Sequence, residues 1–404
     1  MEIFCGIDWA ERHHDVAVVD QTGRLLGRRR IGDDLAGFSD LTALLVEHAG
    51  EQAAGVPVAI ETDRGLLVAA LRAVGHPVYA INPKAVDRYR DRHAVSGAKS
   101  DPADALVLAH LLRTDRPAHR PLPADTDQVQ VVRVLARAHQ DAIWARQQDA
   151  NRLRSLLREF FPAALTAFPD LTTRTALTVL AAAPTPATAA ALTRANLTDL
   201  LHAAGRGTRP GEAARLASIF TADQLRQSTE VEKAMGAAVR AIVRTLAAAN
   251  QSIHELQQAL AAHFEQHPDA EILDSLPGLG LVLGARMLGE YGDDPTRWPD
   301  AASRRNYAGT APITRASGRS RLVLARHIRN KRLADACYLW AFTALTKSPG
   351  ARAYYDTRRA AGDTHSAALR RLGNKLLGQL HHCLAHHQPY NEHHAWNQDT
   401  RAAA

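Results

Sequence analysis

The sequence predicts a mixed α/β domain at the N-terminus, a long helical region after it and a mainly α-helical C-terminal domain. Strand and helix patterns alternate through roughly the first quarter of the chain, and a proline-rich segment breaks the pattern at residues 117–123. Two long helical patterns follow. The 404 residues are enough for two or three domains with hydrophobic cores.

The N-terminal elements are predicted from strand patterns that alternate with helical patterns, including short apolar runs bounded by turns. The turn Asp20–Gly23 joins the second and third strands as a hairpin. The predicted strands are Ile3–Ile7, His14–Val19, Arg24–Ile31, Val56–Ile60 and Pro77–Ile81, and the predicted helices are Leu35–His48, Gly65–Val74, Lys84–Arg92 and Pro102–Leu112. The resulting order β-β-β-α-β-α-β-α matches a ribonuclease-H-like fold, in which the first and fourth strands are neighbours.

The rest of the chain is predicted to be helical. The patterns Asp127–Phe161 and Thr229–Phe264 are long enough for an antiparallel or intermolecular coiled coil, with short helices and loops between them. The glycines of LPGLG, before Leu281, suit a helix-hairpin-helix that presents backbone N–H groups to a DNA phosphate. An ordinary helix-loop-helix corner fits them equally well. The last predicted helices are Leu333–Thr346, Ala351–Ala361 and Ser366–His386.

The net charge of +7 hides an asymmetry along the chain. Residues 1–150 carry 18 Lys and Arg against 21 Asp and Glu (−3), residues 151–270 carry 12 against 10 (+2), and residues 271–404 carry 19 against 11 (+8). Residues 301–334 hold nine basic side chains and no acid: Arg304, Arg305, Arg315, Arg319, Arg321, Arg326, Arg329, Lys331 and Arg332. This field predicts contact with nucleic acid, and a solvated face in an arginine-biased chain is the alternative.

The cysteines and the hydropathy pattern exclude several classes of protein. A chain of 404 residues is too long for a small disulfide scaffold, and its three cysteines, which have no C-x-x-C spacing, argue for a reducing compartment and against a structural zinc site. No run of about 18 apolar residues occurs, and acids and histidines follow the first residues closely. The expected location is therefore the cytoplasm, with no contact to a membrane.

Four carboxylates are predicted to meet at one edge of the N-terminal sheet. Asp8 follows the first strand, Glu61 follows the fourth, and Asp101 and Asp104 lie at the start of a helix with i, i+3 spacing. Oxygen ligands suit Mg²⁺ or Mn²⁺, and two such ions about 4 Å apart stabilise both oxygens of a phosphoryl transfer. Each acid alone also has a structural explanation, as a turn cap or a helix-start residue.

A serine lies in the basic segment, in a predicted loop at Gly309–Gly318. Ser317 precedes Gly318 and is flanked by Arg315, Arg319 and Arg321, whose guanidinium groups suit a phosphodiester. Such a serine could attack phosphorus. A Ser-Gly turn that only contacts backbone phosphate is the alternative, and Ser320 is a second hydroxyl that spacing alone does not separate from Ser317.

The two regions together resemble the DEDD transposases of bridge-RNA-guided insertion sequences, the IS110 family. The resemblance is carried, in family order, by GIDWA with Asp8, AIET with Glu61, KSDPADALVLAHLL with Asp101 and Asp104, LPGLGLVLGARMLGEYGD, AGTAPITRASGRS with Ser317, and the ending from ARAYYDTRRA onward. It runs from about residue 3 to Trp396. The family pattern often has two serines before the glycine, whereas this chain has Ala316 and Ser317, so Ser317 is the position that matches.

The resemblance implies a RuvC-like DEDD catalytic domain at residues 1–120, a coiled-coil linker and dimerisation region at 121–268, and a C-terminal transposase domain at 269–404. It implies that Asp8, Glu61, Asp101 and Asp104 bind Mg²⁺ and that Ser317 forms a covalent link to cleaved DNA. It also implies donor and target DNA, a non-coding bridge RNA, and homodimers that assemble into a tetramer. Lys99, beside Asp101, is a further candidate for phosphate contact.

Two other functions remain open from the residues alone. In the first, a RuvC-like structure-selective endonuclease cuts DNA with water and the C-terminal region only binds. In the second, a non-catalytic nucleic-acid-binding protein retains the fold without the activity.

Overall fold

The computed structural model describes residues 2–93, 101–205, 210–318 and 320–397, with His93, Asp101 and Asn397 described by their backbone only. The described chain forms two compact units, Met1–Ala124 and Asp125–Ala404. The three-part division expected from the sequence stays a prediction. No helix in these ranges is long and apolar enough to cross a membrane.

The first unit contains a five-stranded mixed sheet. Its strands are β1 (Ile3–Trp9), β2 (His13–Asp20), β3 (Leu25–Gly32), β4 (Val58–Ile60) and β5 (Val78–Ala80), in the order β3-β2-β1-β4-β5. The first three strands are antiparallel, whereas β4 pairs in parallel with both β1 and β5. The sheet is compatible with the predicted ribonuclease-H-like fold, and the adjacency of the first and fourth strands is confirmed.

Helices cover both faces of this sheet. They are α1 (Leu35–Ala49), α2 (Leu66–Val74), α3 (Pro83–His93) and α4 (Asp101–Asp115). Leucines of α1 and α2 pack on one face with Ile7 and Ile60. Helices α3 and α4 contribute residues to a second core on the other face, with Phe4 and Ala59. The α4 side is where the candidate acids are found.

The second unit is mostly helical and has two hydrophobic cores. Its two long helices, α5 (Asp127–Phe160) and α11 (Thr229–Phe264), pack against each other, and the coiled coil expected from the sequence stays a prediction. Between them lie α6 (Pro162–Ala167), α7 (Arg174–Ala182), α8 (Pro186–Ala190), α9 (Arg194–Ala203) and α10 (Glu212–Thr221). After them come α12 (Ala270–Ser275), α13 (Gly280–Tyr291), α14 (Ala301–Ala308), β6 (Ile313–Ser317), β7 (Ser320–Leu324), α15 (Lys331–Ala344), α16 (Pro349–Ala360), α17 (His365–Ala385) and α18 (Glu392–Asn397).

The predicted loop at Gly309–Gly318 is wrong in its second half. Residues Ile313–Ser317 form a strand that pairs antiparallel with Ser320–Leu324, and Gly318 has the positive φ of +55° that a tight turn uses. Because almost every residue of the hairpin is exposed, no buried face imposes the apolar alternation by which strands are recognised.

The glycine turn between α12 and α13 is packed against α15. The carbonyl oxygen of Gly278 accepts a hydrogen bond from Thr343 Oγ1 at 2.6 Å, and that of Pro277 accepts one from Trp340 Nε1 at 3.0 Å. A Cβ atom at Gly278 would lie 2.7 Å from the backbone nitrogen of Ala344. The glycine is therefore required for the packing of this corner, and its contact with DNA phosphate stays a prediction.

Candidate active site

Two of the predicted acids lie at the same edge of the sheet. Ile7 of β1 and Ile60 of β4 are partners in the parallel ladder. Asp8 directly follows Ile7, and Glu61 directly follows Ile60. Side chains alternate along a strand. Since Phe4 faces the core beneath α3 and α4, Asp8 faces the same side of the sheet. Both acids are partly exposed.

Helix α4 crosses the sheet directly above Gly6. An added Cβ atom at this glycine would collide with the backbone of Ala105 and Ala109. At the other end of the helix, Arg116 Nη1 is 2.9 Å from Glu2 Oε1, which precedes β1. The helix therefore runs antiparallel to β1, and its first turn lies toward the edge that carries Asp8.

This orientation brings Asp104 to the acidic edge. Asp104 immediately precedes Ala105, the residue above Gly6, and it is buried, with 4% of its surface exposed. Its Oδ1 accepts a hydrogen bond of 2.6 Å from Arg90 Nη2 of α3. Arg90 also reaches Asp87 Oδ1 at 3.2 Å. The backbone of Asp101 starts α4 one turn earlier, whereas Lys99 and the side chain of Asp101 lie outside the described residues.

A fifth acid and an arginine extend the row across the sheet. Asp15 of β2 is the ladder partner of Asp8, and Arg30 of β3 is the ladder partner of Asp15. Arg30 holds both carboxylate oxygens of the buried Asp15, through Nε at 3.2 Å and Nη2 at 2.7 Å. Like charges on directly opposed residues repel, and Arg30 offsets this repulsion. The sequence pattern does not single out Asp15, Arg30 or Arg90.

The donor chemistry of this edge fits a hard divalent cation. Carboxylate oxygens are the ligands that Mg²⁺ and Mn²⁺ prefer, and Asp104 is a buried carboxylate that already requires a positive partner. Among the described side chains, no group of three or more His, Cys, Asp or Glu is arranged as a cation site. Asp8, Glu61 and Asp104 provide carboxylates of the right type but do not form such a group, so their metal role, together with that of Asp101, stays a prediction.

The candidate nucleophile lies at the tip of the β6–β7 hairpin. Ser317 is exposed and is paired across the turn with Ser320, so the two hydroxyls share one face of the hairpin. Arg315, two residues before Ser317, lies on this face as well. Arg321 is paired with Ala316 and therefore lies on the opposite face. Arg319 lies outside the described residues.

The predicted nucleic-acid-binding residues fall into two groups by exposure. Arg315, Arg321, Arg329 and Lys331 are exposed, whereas Arg304, Arg305, Arg326 and Arg332 are half-buried. Arg304 lies 5.1 Å from the ring centre of Tyr291, and loss of hydration lowers its pKa to about 10. Arg332 pairs with Asp141 at 2.8 Å.

The end of the basic segment is fixed to the core through Asn330. Its Oδ1 accepts hydrogen bonds from the backbone of Arg332 and Leu333, which caps α15, and its Nδ2 donates to Glu290 at 2.7 Å. Glu290 is buried, and its carboxylate accepts hydrogen bonds from Nε and Nη2 of Arg137 at 2.6 and 2.9 Å. Burial alone would raise the pKa of Glu290, but these hydrogen bonds lower it.

The five-stranded sheet is compatible with the class of proteins that have a ribonuclease-H-like domain, a fold that alone does not establish an activity. Comparison with known proteins narrows this class. A family model described as "Transposase", for the IS110 DEDD domain, matches residues 5–162. A second, described as "Transposase IS116/IS110/IS902 family", matches residues 270–356.

Full-length relatives agree with both family models. The chain is 54% identical, over its whole length and 99% of the relative, to the "Mini-circle putative transposase for IS117" of Streptomyces coelicolor. It is 30% identical to an insertion element IS110 protein of 43.6 kDa from the same species, over 94% of this chain and 93% of the relative. An IS900 protein of Mycobacterium paratuberculosis is 28% identical over 96% of this chain.

The chain belongs to the IS110 family of insertion-sequence transposases. It is therefore an enzyme of DNA cleavage and recombination.

Proposed function

We propose that this transposase cleaves donor and target DNA in a Mg²⁺-dependent reaction and exchanges strands through Ser317, guided by a non-coding bridge RNA. The observation that carries the acidic half of the proposal is the close approach of α4 to Gly6, because it brings Asp104 toward the edge of the sheet that holds Asp8 and Glu61. The serine half rests on the exposed hairpin tip within the chain's basic segment.

The acids have the metal-binding role in this proposal. Asp8, Glu61 and Asp104, together with Asp101, would hold one or two Mg²⁺ or Mn²⁺ ions, which would stabilise charge on the attacking and leaving oxygens. Asp15, neutralised by Arg30, would fix the position of β2 beside Asp8. The buried position of Asp104 restricts its rotamers and so helps to orient its carboxylate.

The serine has the nucleophilic role. Ser317 Oγ would attack a DNA phosphorus, lose its proton and form a phosphoserine ester, while the bond to the leaving deoxyribose oxygen breaks and that oxygen takes up a proton. A hydroxyl of the second DNA strand would then attack the same phosphorus, restoring the serine and joining the strands. Arg315, on the face of Ser317, would bind the phosphate during both steps.

Assembly is the remaining part of the proposal. The acids and the serine lie in different units, and a site composed from two protomers would account for that separation in sequence. The long helices α5 and α11 would contribute to dimers that associate into a tetramer. Light scattering on the full chain tests the assembly, and sequencing of RNA that copurifies with it tests the guide. A monomer, or a preparation without element-derived RNA, would contradict this part.

Substitutions at the two hydroxyls separate transposition from the alternatives. With the element and its flanking DNA on a plasmid in cells, Ser317→Ala is expected to abolish recombination and the covalent protein–DNA link, whereas Ser320→Ala, its partner across the hairpin, is expected to retain both. Unchanged cleavage in Ser317→Ala would instead favour an endonuclease that cuts with water. Inactivity of the unaltered protein with its own element would favour a non-catalytic binding protein.

The metal role is tested on the acids. Asp8→Asn and Asp104→Asn are expected to lose cleavage and binding of Mn²⁺ together. Asp91→Asn, which removes an exposed acid from the neighbouring helix α3, is the matched control and is expected to retain both. Intact cleavage in Asp104→Asn would contradict the metal role of this carboxylate.

A further inference from the structure

One arginine contacts a carboxylate that the proposed function assigns to a metal ion. Arg90 of α3 donates from Nη2 to Asp104 Oδ1 at 2.6 Å, and only 17% of the Arg90 side chain is exposed. Asp104 itself is 4% exposed. Its carboxylate is thus enclosed, and it forms an ion pair with Arg90.

A buried carboxylate is costly unless a positive group faces it. The guanidinium of Arg90 meets this requirement. A divalent cation would meet the same requirement, and would meet it more strongly through its double charge. The guanidinium and a cation bound to Asp104 would repel each other at this distance. The guanidinium and the cation therefore compete for the carboxylate of Asp104.

Arg90 has an alternative position available. The same guanidinium reaches Asp87 Oδ1 at 3.2 Å, and Asp87 is 63% exposed and lies one turn earlier on α3. An arginine that moved away from Asp104 would therefore remain at the rim of the acidic edge, near solvent. A DNA phosphate at that edge is a stronger acceptor for a guanidinium than an exposed carboxylate on its own helix.

We propose that Arg90 is an exchangeable counter-ion of the acidic edge: it neutralises Asp104 while no divalent cation is bound, and cation binding releases it to a DNA phosphate. The inference rests on the metal role proposed for Asp104. In this scheme Asp104 has a positive partner before the cation binds, and metal binding and DNA binding become coupled through one side chain.

The first test measures Mn²⁺ binding to the full chain by calorimetry, without DNA. Arg90→Gln removes the competitor, and a hydrogen bond to a charged group is worth about 1.5–3 kcal/mol, so Mn²⁺ is expected to bind about tenfold tighter or more. Arg88→Gln makes the same charge change at an exposed position of α3 and is expected to alter the affinity less than about twofold. Equal or weaker Mn²⁺ binding in Arg90→Gln than in Arg88→Gln would overturn the proposal.

Two further variants keep this test decisive. If Arg90→Gln does not fold without metal, Arg90→Lys retains the charge but not the planar fork, and its Mn²⁺ affinity is expected to lie between those of the unaltered chain and Arg90→Gln. Asp104→Asn separates the two proposals. If it binds Mn²⁺ like the unaltered chain, the metal role itself fails; if it loses Mn²⁺ while Arg90→Gln gains nothing, only the exchange fails.

The second test concerns the released guanidinium. Binding of a duplex oligonucleotide is measured against salt concentration, in Ca²⁺ and in EDTA. One phosphate contact contributes about 0.9 to the slope of log K on log salt. Arg90→Gln is expected to reduce the slope by about this amount in Ca²⁺ and to leave it unchanged in EDTA. An equal reduction under both conditions would show a constitutive DNA contact and contradict the exchange.

Discussion

Replacing Gly6 by alanine should separate α4 from the sheet and thereby disturb the acidic edge. The added methyl group would collide with the carbonyl oxygen of Ala105 and the amide nitrogen of Ala109. Both obstacles belong to a helix backbone and cannot rotate away as a side chain does. The helix that carries Asp104 must therefore move on the order of 1 Å, or β1 must yield by the same amount.

The cost follows from overpacking against backbone. Forcing one methylene into a packed core costs about 1–3 kcal/mol where side chains can adjust, so about 3 kcal/mol or more is expected for Gly6→Ala. Urea unfolding of the full chain, combined with hydrogen exchange of the α4 amides, measures this loss. The variant is also expected to bind Mn²⁺ at least tenfold more weakly, because Asp104 moves with the helix.

A second strand glycine provides the matched control. A Cβ atom at Gly27 of β3 would meet His48 Nε2 at 2.8 Å and Leu44 Cδ1 at 2.9 Å, and both are ends of flexible side chains. Gly27→Ala is therefore expected to cost less than about 1 kcal/mol and to leave Mn²⁺ binding unchanged. If Gly6→Ala proved as stable as Gly27→Ala and bound Mn²⁺ normally, the inferred placement of α4 over β1 would be refuted.

Further predictions concern the second unit. Glu290→Gln breaks the buried pair with Arg137 and is expected to cost about 3 kcal/mol in urea unfolding. Because the folded-state pKa of Glu290 is lowered, its contribution is present above the unfolded value of about 4.3 and is lost as pH falls through the folded value, so the variant should show a shallower acid-side decline. His139 is buried, and loss of hydration together with nearby arginines lowers its pKa; the unfolded chain therefore takes up this proton first, and His139→Met should reduce the loss of stability between about pH 7 and 5. Asn330→Ala removes the cap of α15 and is expected to cost about 1–2 kcal/mol, with faster amide exchange in the first turn of that helix; protection equal to that of the unaltered chain would contradict this role.

The elements of the sheet domain could be predicted because local patterns determine them. Short apolar runs define β1 and β2, whose residues are buried almost throughout, and glycine and proline bound the short strands and helices that follow. The neighbouring positions of Asp8 and Glu61 then followed from the fold order alone. Patterns of this kind predict which face of an element is buried. The order of the strands in the sheet then predicts which residues lie close together.

Other parts depend on contacts that a local pattern does not encode. Asp15 is paired with Asp8 and held by Arg30, and this row could be found only from the register of three strands. Arg90 reaches Asp104 from a separate helix. The β6–β7 hairpin was not predicted, because its strands are exposed and have no buried face. The glycine between its two five-residue strands, Gly318, is the signal from which the turn could have been predicted.

The sequence also could not predict that the basic segment divides into exposed and half-buried side chains. Nine cations without an acid suggest one continuous surface, yet the guanidinium of Arg304 stacks on the rings of Tyr291 and Trp298, and Arg332 pairs with Asp141 of α5. These arginines contact core aromatics and distant acids that only the folded chain brings near. Arg315 and Arg321 of the hairpin, by contrast, are exposed.

Ser317 and the acidic edge are proposed to act together on DNA, and mapping the covalent link between protein and DNA is the decisive measurement of this joint action. The full chain is expressed with its element and flanking DNA, the DNA is digested, and peptides carrying a residual nucleotide are identified by mass spectrometry. We expect a nucleotide on Ser317 in the unaltered chain and in the Ser320→Ala variant, and none in the Asp104→Asn variant. A nucleotide on another residue, or a link to Ser317 that persists in Asp104→Asn, would contradict it.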